Sequence, residues 1–247
     1  MTTLIICEHG DLSPELTDCA DLIDTEIGKY IRATRNEEKR TERLAAYLTL
    51  RAYLSECGIE LSDLLHGTRG EPIATVRGKE NRISVSISHE HDLLAVAISD
   101  ARVGVDVECE IDPERAERIE ERFIKGREIE GAVCEMNDHL LVVSRLTASG
   151  ELFVSDRLTI KPKAREKTDD NNVYVNNNLH IYRCDPLEYT TVRWTSLEAV
   201  LKLFGGGFAD FLNTGAIAQH SRLASYKIKR GDEHLYVSLA TELAAGA

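Results

Sequence analysis

Asp106 and Glu108 are the residues of this chain whose type and spacing point most directly to chemistry. They lie in Val103-Gly104-Val105-Asp106-Val107-Glu108, where three valines alternate with Gly104, Asp106 and Glu108. A period of two is a strand pattern, and residues two apart face the same way with Cβ atoms about 6.5–7 Å apart. Two carboxylates that close repel each other in a dry site unless a cation or several donors sit between them. Oxygen-only ligands suit a hard ion such as Mg²⁺. The same alternation also fits an edge strand with a solvated acidic face. Glu198 and Lys202 are four apart, carboxylate first, and so share a helix face. A capping box of Thr195 with Glu198, or an exposed ion pair, would account for them equally well. Arg35, Lys39, Arg40 and Arg43 lead into a helix, with Arg40 and Arg43 on one face and Glu37, Glu38 and Glu42 available as surface partners. His89 stands where a strand stops and is a candidate ligand contact. His89-Glu90-His91-Asp92 are sequential and cannot all converge on one ion.

The elements that must position these groups follow from periodicity. Thr3–Cys7 reads as a short buried strand. Asn36 to Leu54 is strongly helical and is stopped by Gly58. A turn-rich stretch from His66 to Pro72 precedes a short strand near Ile73–Val76. Ile83–Ser88 alternates cleanly, Leu93–Ser99 is a near-continuous apolar run expected in the centre of a sheet, and Val103–Glu108 follows a turn. Asp112 as N-cap and Pro113 in the first turn open a charged helix expected to reach about Ile129. Residues 139–184 change character, with two hairpins expected around Thr147–Gly150 and Asn176–Asn178. A helix beginning at Trp194 is closed by Gly205–Gly207, and a last hairpin turns at Gly231-Asp232.

At 247 residues the chain is long enough for one large domain or two small ones. A formal net charge of −12 argues against a broad nucleic-acid or anionic-membrane footprint while leaving room for a local basic pocket. The six cysteines are scattered without a CxxC pair, and no signal peptide precedes them. Reduced thiols in a cytoplasmic protein are therefore expected; the chain is also expected to be monomeric. No apolar run approaches the roughly 20 residues of a membrane helix.

Taken in order, these pieces resemble the surfactin-synthetase-type 4'-phosphopantetheinyl transferases. Gly70-Glu71-Pro72 resembles the family's Gly-Lys-Pro, and Val85-Ser86-Ile87-Ser88-His89 its Phe-Asn-Ile-Ser-His strand. Gly104-Val105-Asp106-Val107-Glu108 is similar to its Gly-(Ile/Val)-Asp-(Ile/Val)-Glu, with Arg122–Glu128 following at the expected distance. Trp194–Gly205 is similar to its Trp-(Ser/Thr)-x-Lys-Glu-Ala-x-x-Lys-x-x-Gly helix. Four matches in order over about Arg40 to Gly205 are far more specific than any one of them.

The resemblance implies an α+β fold of two similar, pseudo-twofold-related lobes, 1–102 and 103–247, with coenzyme A between them. Residues 139–184 would then be an extra β-rich insertion in the second lobe. It implies Mg²⁺ on Asp106, Glu108 and Glu198, with Asp106, Glu198 and Lys202 catalytic. Coenzyme A would be held by Ser88, His89, Lys202 and one of Arg40 and Arg43. The implied activity is transfer of the phosphopantetheine arm to a serine of an acyl or peptidyl carrier protein. Carrier proteins are acidic, so this acidic chain would have to meet them through apolar or locally basic contacts. Three departures each remove positive charge: Leu197 and Glu71 replace family lysines, and Tyr47 stands where many relatives carry arginine. They leave open a relative that binds coenzyme A or a partner without transferring the arm.

Overall fold

Leu93–Ser99 is buried along its whole length because it has hydrophobic cores on both sides. Leu94, Val96 and Ile98 pack into one core, while Leu93, Ala95 and Ala97 pack into another. This computed structural model describes residues 1–18, 25–67, 71–77, 83–124, 133–136, 138–161, 172–175, 179–185, 190–205 and 221–242. Among them lie four α-helices and two β-sheets, a mixed α+β architecture. The strands are β1 (Thr2–Glu8), β2 (Leu61–His66), β3 (Pro72–Val76), β4 (Ile83–Glu90), β5 (Leu93–Ser99), β6 (Val103–Cys109), β7 (Val133–Glu135), β8 (His139–Leu146), β9 (Leu152–Ile160), β10 (Asn172–Val175), β11 (Leu179–Cys184), β12 (Ser221–Arg230) and β13 (Glu233–Glu242). The helices are α1 (Glu26–Ala33), α2 (Glu37–Glu56), α3 (Pro113–Ile119) and α4 (Thr190–Phe204).

The first sheet runs β2-β3-β4-β5-β1-β8-β9, with β1 and β8 parallel. The second runs β10-β11-β12-β13-β6, with β7 alongside β12. Leu4, Ile6 and Val143 of the first sheet meet Val105, Val107, Tyr226 and Leu239 of the second, so the sheets share a core. The outer face of the first sheet is covered by Leu44, Tyr47, Leu50 and Leu54 of α2. Trp194, Leu197, Val200 and Leu203 of α4 form a third core with Leu223 and Ala240 of the second sheet. Helix, sheet, sheet and helix therefore stack as layers, each burying an apolar face that water would penalise.

The chain uses one connectivity twice. In each half a strand (β1 or β6) is followed by helices, and later by a hairpin (β4–β5 or β12–β13). The second strand of each hairpin pairs antiparallel with the strand that began the half. Even the sheet orders β2-β3-β4-β5-β1 and β10-β11-β12-β13-β6 correspond in space, although α4 follows β10–β11 whereas α2 precedes β2–β3. No internal repeat is visible in the residues themselves.

Residues 139–184 are not one insertion in the second half. The β8–β9 hairpin extends the first sheet beyond β1, whereas β10–β11 belongs to the second. Leu141 and Val143 explain the choice: they face the shared core on the open side of β1, where parallel pairing buries both faces of β8. The division at residue 102 is accordingly crossed by 139–160. The helix expected from Pro113 to about Ile129 leaves α-geometry at Ile119 for a π turn, Glu120–Ile124, and 125–130 lie outside the described residues. The α4 helix begins at Thr190, four residues earlier than its sequence suggests.

β4 touches both sheets. Val85 faces the α2 core, and the opposite face carries Ser84, Ser86 and Ser88. Period-two polarity normally marks a wet face, yet Ser86 and Ser88 are buried. They lie against the edge of β6, where the Val103 and Val105 N–H groups donate to Ser84 Oγ (3.2 Å) and Ser86 Oγ (3.0 Å). The serines thus stand in for a missing neighbouring strand and satisfy an edge that would otherwise be unpaired. Ser86→Ala, which removes the hydroxyl and adds no bulk, should strand the Val105 N–H and cost about 1–3 kcal/mol in urea unfolding. No helix among the described residues is long and apolar enough to cross a membrane.

Candidate metal and phosphate site

Helix α4 crosses β6 at Gly104. A Cβ there would overlap the Ala199 carbonyl oxygen and lie 2.6 Å from the Leu203 backbone nitrogen. Only glycine permits that approach. It sets the last turns of α4 above the strand, so that Glu198 and Lys202 come down onto Asp106 and Glu108.

Carboxylate oxygens of Asp106, Glu108 and Glu198 lie within 4.8 Å of one another. Asp106 is 3% exposed, and its Oδ1 accepts from Ser88 Oγ (2.9 Å) and Lys202 Nζ (2.8 Å). Lys202 also donates to Ser88 Oγ (3.0 Å), closing a three-membered network. Arg115 pairs with Glu108. Asp106 Oδ2 is buried without a hydrogen-bond partner.

Burial, then the Asp106 charge and a hydrogen bond to it, push Glu198 up to about 8, against the pull of Lys202. Burial also raises Glu108, against the nearby Arg115. The charge count explains the direction. Three ionised carboxylates facing Lys202 and Arg115 leave one negative charge uncompensated in a half-dry site, and a proton on Glu198 removes it.

A divalent cation would do the same, and the residues fit one. In an octahedral Mg²⁺ shell with bonds of about 2.0–2.1 Å, adjacent oxygens lie ~2.9 Å and opposite ones ~4.1 Å apart. The observed spread closes to that by small side-chain rotations, and Asp106 Oδ2 is an orphaned oxygen available as a ligand. The site would then carry one net positive charge, suited to a polyanion.

Glu198 also fixes a pH dependence. Its folded value lies above the ordinary 4.5, so the native state binds the extra proton between the two values. Metal-free stability from this group is complete below about pH 4.5 and is lost as pH rises toward 8. Mg²⁺ binding near pH 7 should release a proton, read by calorimetry in buffers of different ionisation enthalpy. Glu198→Gln should abolish that release.

His89, one residue beyond Ser88 on β4, points the other way. Its Nε2 donates to Glu42 Oε2 at 2.6 Å. Both line a cavity of about 270 Å³ with Lys39, Arg43, Pro72 and Ile87. Lys39, Glu42 and Arg43 are i, i+3 and i+4 on α2 and share its cavity-facing side. Arg43 stacks over the Tyr30 ring, 4.1 Å from its centroid, and bonds Thr34. Arg40 does not line this cavity, so of the two candidate arginines Arg43 is the one that shares it with His89.

The bland alternatives for Glu198 fail. Thr195 lies inside α4 and hydrogen-bonds Val192 and Ser238, so no capping box forms, and Lys202 turns to Asp106. The three departures from the family pattern also change meaning. Leu197 and Tyr47 are buried in hydrophobic cores, where they exchange charge for packing away from the carboxylates. Glu71 is not among the cavity-lining residues and lies against Gly67, while its neighbour Pro72 lines the cavity. Gly70 lies outside the described residues, as do 125–128 of the Arg122–Glu128 match. Sequence reasoning missed Lys39 as a cavity cation and Arg115 as the partner of Glu108. Lys39 could have been found from its i, i+4 spacing to Arg43.

No family model matches this chain, and no curated protein is significantly similar to it.

Proposed function

We propose that this chain is a Mg²⁺-dependent 4'-phosphopantetheinyl transferase of the two-lobe, surfactin-synthetase type, using coenzyme A as substrate and a carrier-protein serine as acceptor. The observation that carries the reading is the meeting of Asp106, Glu108, Glu198 and Lys202, from separate parts of the chain, beside a cationic cavity across β4. The doubled connectivity of the two sheets supports the pseudo-twofold lobes that this family would have.

In this reading His89, Arg43 and Lys39 hold the 3'-phosphate of coenzyme A, and its pyrophosphate reaches round β4 to the carboxylates. Asp106, Glu108 and Glu198 would hold Mg²⁺, which polarises the pyrophosphate and favours the Glu198 carboxylate. Glu198, directly or through a water, takes the proton of the carrier serine. The serine oxygen forms its bond to the β-phosphorus as the bond from that phosphorus to the bridging oxygen breaks. Adenosine 3',5'-bisphosphate leaves with the electron pair. Lys202 meets the charge that grows on the phosphates as they separate.

The test is to incubate the protein with coenzyme A, Mg²⁺ and a panel of apo acyl and peptidyl carrier proteins and to weigh the carriers. A gain of one phosphopantetheine supports the reading. No gain on any carrier, with coenzyme A still bound, would leave a coenzyme A-binding module instead. Arg43→Ala should raise the Kd for coenzyme A by roughly tenfold or more, as loss of a charge-assisted hydrogen bond does, and leave that for 3'-dephospho-coenzyme A nearly unchanged. Arg40→Ala should spare both, and titration calorimetry with the two ligands decides.

A further inference from the structure

A second group of ligating side chains lies where the two sheets meet, and it differs in chemistry from the carboxylate cluster. Glu90, His91 and Cys109 each offer a ligand atom within 4.8 Å of the others. Glu233 joins them: its Oε1 lies 2.9 Å from His91 Nδ1 and 3.6 Å from Cys109 Sγ, and that sulfur is 3.5 Å from His91 Nδ1. The four come from three places, the β4–β5 turn, the end of β6 and the start of β13.

We propose that Glu90, His91, Cys109 and Glu233 form a site for a borderline-soft divalent ion of the Zn²⁺ class, stapling the β4–β5 turn of one sheet to β6 and β13 of the other. A tetrahedral ion with Zn–S about 2.3 Å and Zn–N and Zn–O about 2.0–2.1 Å sets its S···N and S···O edges near 3.6 Å and its N···O edge near 3.3 Å. The observed triangle of 3.5, 3.6 and 2.9 Å comes within a few tenths of an ångström of that face. Glu90 Oε1 lies 3.9 Å from the other ring nitrogen of His91, Nε2, and its carboxylate would swing to supply the fourth ligand. Thiolate and imidazole favour Zn²⁺ over Mg²⁺, so the two clusters select different ions.

Two further features fit. Arg230 holds Glu233 through its other oxygen, Oε2, from Nε (3.2 Å) and Nη2 (2.5 Å), and so orients Oε1 toward His91 and Cys109. Such second-layer partners are what fix metal-binding carboxylates. His91 is the one non-glycine residue among those described with positive φ, at 51° in a two-residue hairpin turn where glycine is favoured. The turn takes on that strain with a side chain whose ring reaches the cluster. On binding, the Cys109 thiol would lose its proton to solvent and the ion would bind the thiolate. The site is independent of the transferase reading and stands or falls on its own.

The experiment is a Co²⁺ titration of the full chain, reduced and stripped with chelator, with excess Mg²⁺ to fill oxygen-only sites. One equivalent of Co²⁺ should produce a thiolate-to-cobalt charge-transfer band and tetrahedral d–d bands, which Zn²⁺ then displaces. Cys109→Ser should abolish the charge-transfer band, and His91→Gln should weaken Co²⁺ binding at least tenfold. Asp106→Asn should leave the spectrum unchanged. Absence of the band in the wild-type chain would overturn the proposal, as would a band that survives in Cys109→Ser.

Discussion

Asp106→Asn should lower the proposed Mg²⁺-dependent phosphopantetheine transfer on the order of 10³-fold, the scale seen when preorganised charge is removed from a reacting centre. The substitution is nearly isosteric. Ser88 Oγ and Lys202 Nζ can still donate to the remaining side-chain oxygen, so the network around Oδ1 survives. What disappears is the charge and the unpartnered Oδ2, the one buried carboxylate oxygen in the cluster with no donor. The pKa of Glu198 should fall at the same time, because the Asp106 charge is one of the causes holding it near 8. Steady-state transfer across a Mg²⁺ series, with circular dichroism to show a folded variant, checks both the loss and its cause. A folded variant with near wild-type turnover would remove Asp106 from the reacting centre.

Gly104→Ala should be the most damaging single-methyl change in the described part of the chain. The added Cβ meets backbone of α4 at Ala199 and Leu203, which no rotamer change can move aside. Overpacking in a core costs about 1–3 kcal/mol when side chains can adjust. Here the adjustment must be a shift of the whole helix, and a loss of about 3 kcal/mol or more in urea unfolding is expected. If the variant folds, α4 stands off β6 and carries Glu198 and Lys202 away from Asp106. Transfer should then fall by at least as much as in a single ligand substitution, even though no reacting group has been altered. Gly58 and Gly231 are contrasting controls, since a Cβ at either meets nothing within 4 Å. Alanine there tests only the positive-φ strain, at 71° and 60°.

These two substitutions separate the two kinds of information in the motif. The alternation of Val103 to Glu108 made Asp106 and Glu108 readable as a same-face pair, because strand geometry is local. The i, i+4 spacing of Glu198 and Lys202 was readable for the same reason. Why Gly104 had to be glycine was not, since the atoms it avoids lie almost a hundred residues away. The serines of β4 teach the same lesson in reverse. Their alternation was legible, but it reads as a wet face, and only the edge of β6 laid against them makes it a buried, hydrogen-bonded seam.

Where the fold departs from local pattern, a distant partner outweighs it. The β8–β9 hairpin was legible as a hairpin, but it could not announce that β1 had an open edge to receive it. Leu197 and Tyr47 stand where the family pattern places charge, and sequence alone does not show what surrounds them. In this chain both positions face apolar cores. His89-Glu90-His91-Asp92 are too consecutive to converge on one ion. That holds for the four alone, but Cys109 and Glu233 arrive from other strands and supply the missing directions.

By itself the sequence determined the elements and their faces: which residues pair two or four apart, where α2 is capped, and where the hairpins turn. Those are consequences of backbone geometry and of burial within a few residues. The tertiary structure alone decided which faces meet: Glu198 with Asp106, Arg43 rather than Arg40 beside His89, and Cys109 with His91 and Glu233. Such meetings depend on the sum of many weak packing contacts along the whole chain, and no short stretch of residues carries that sum.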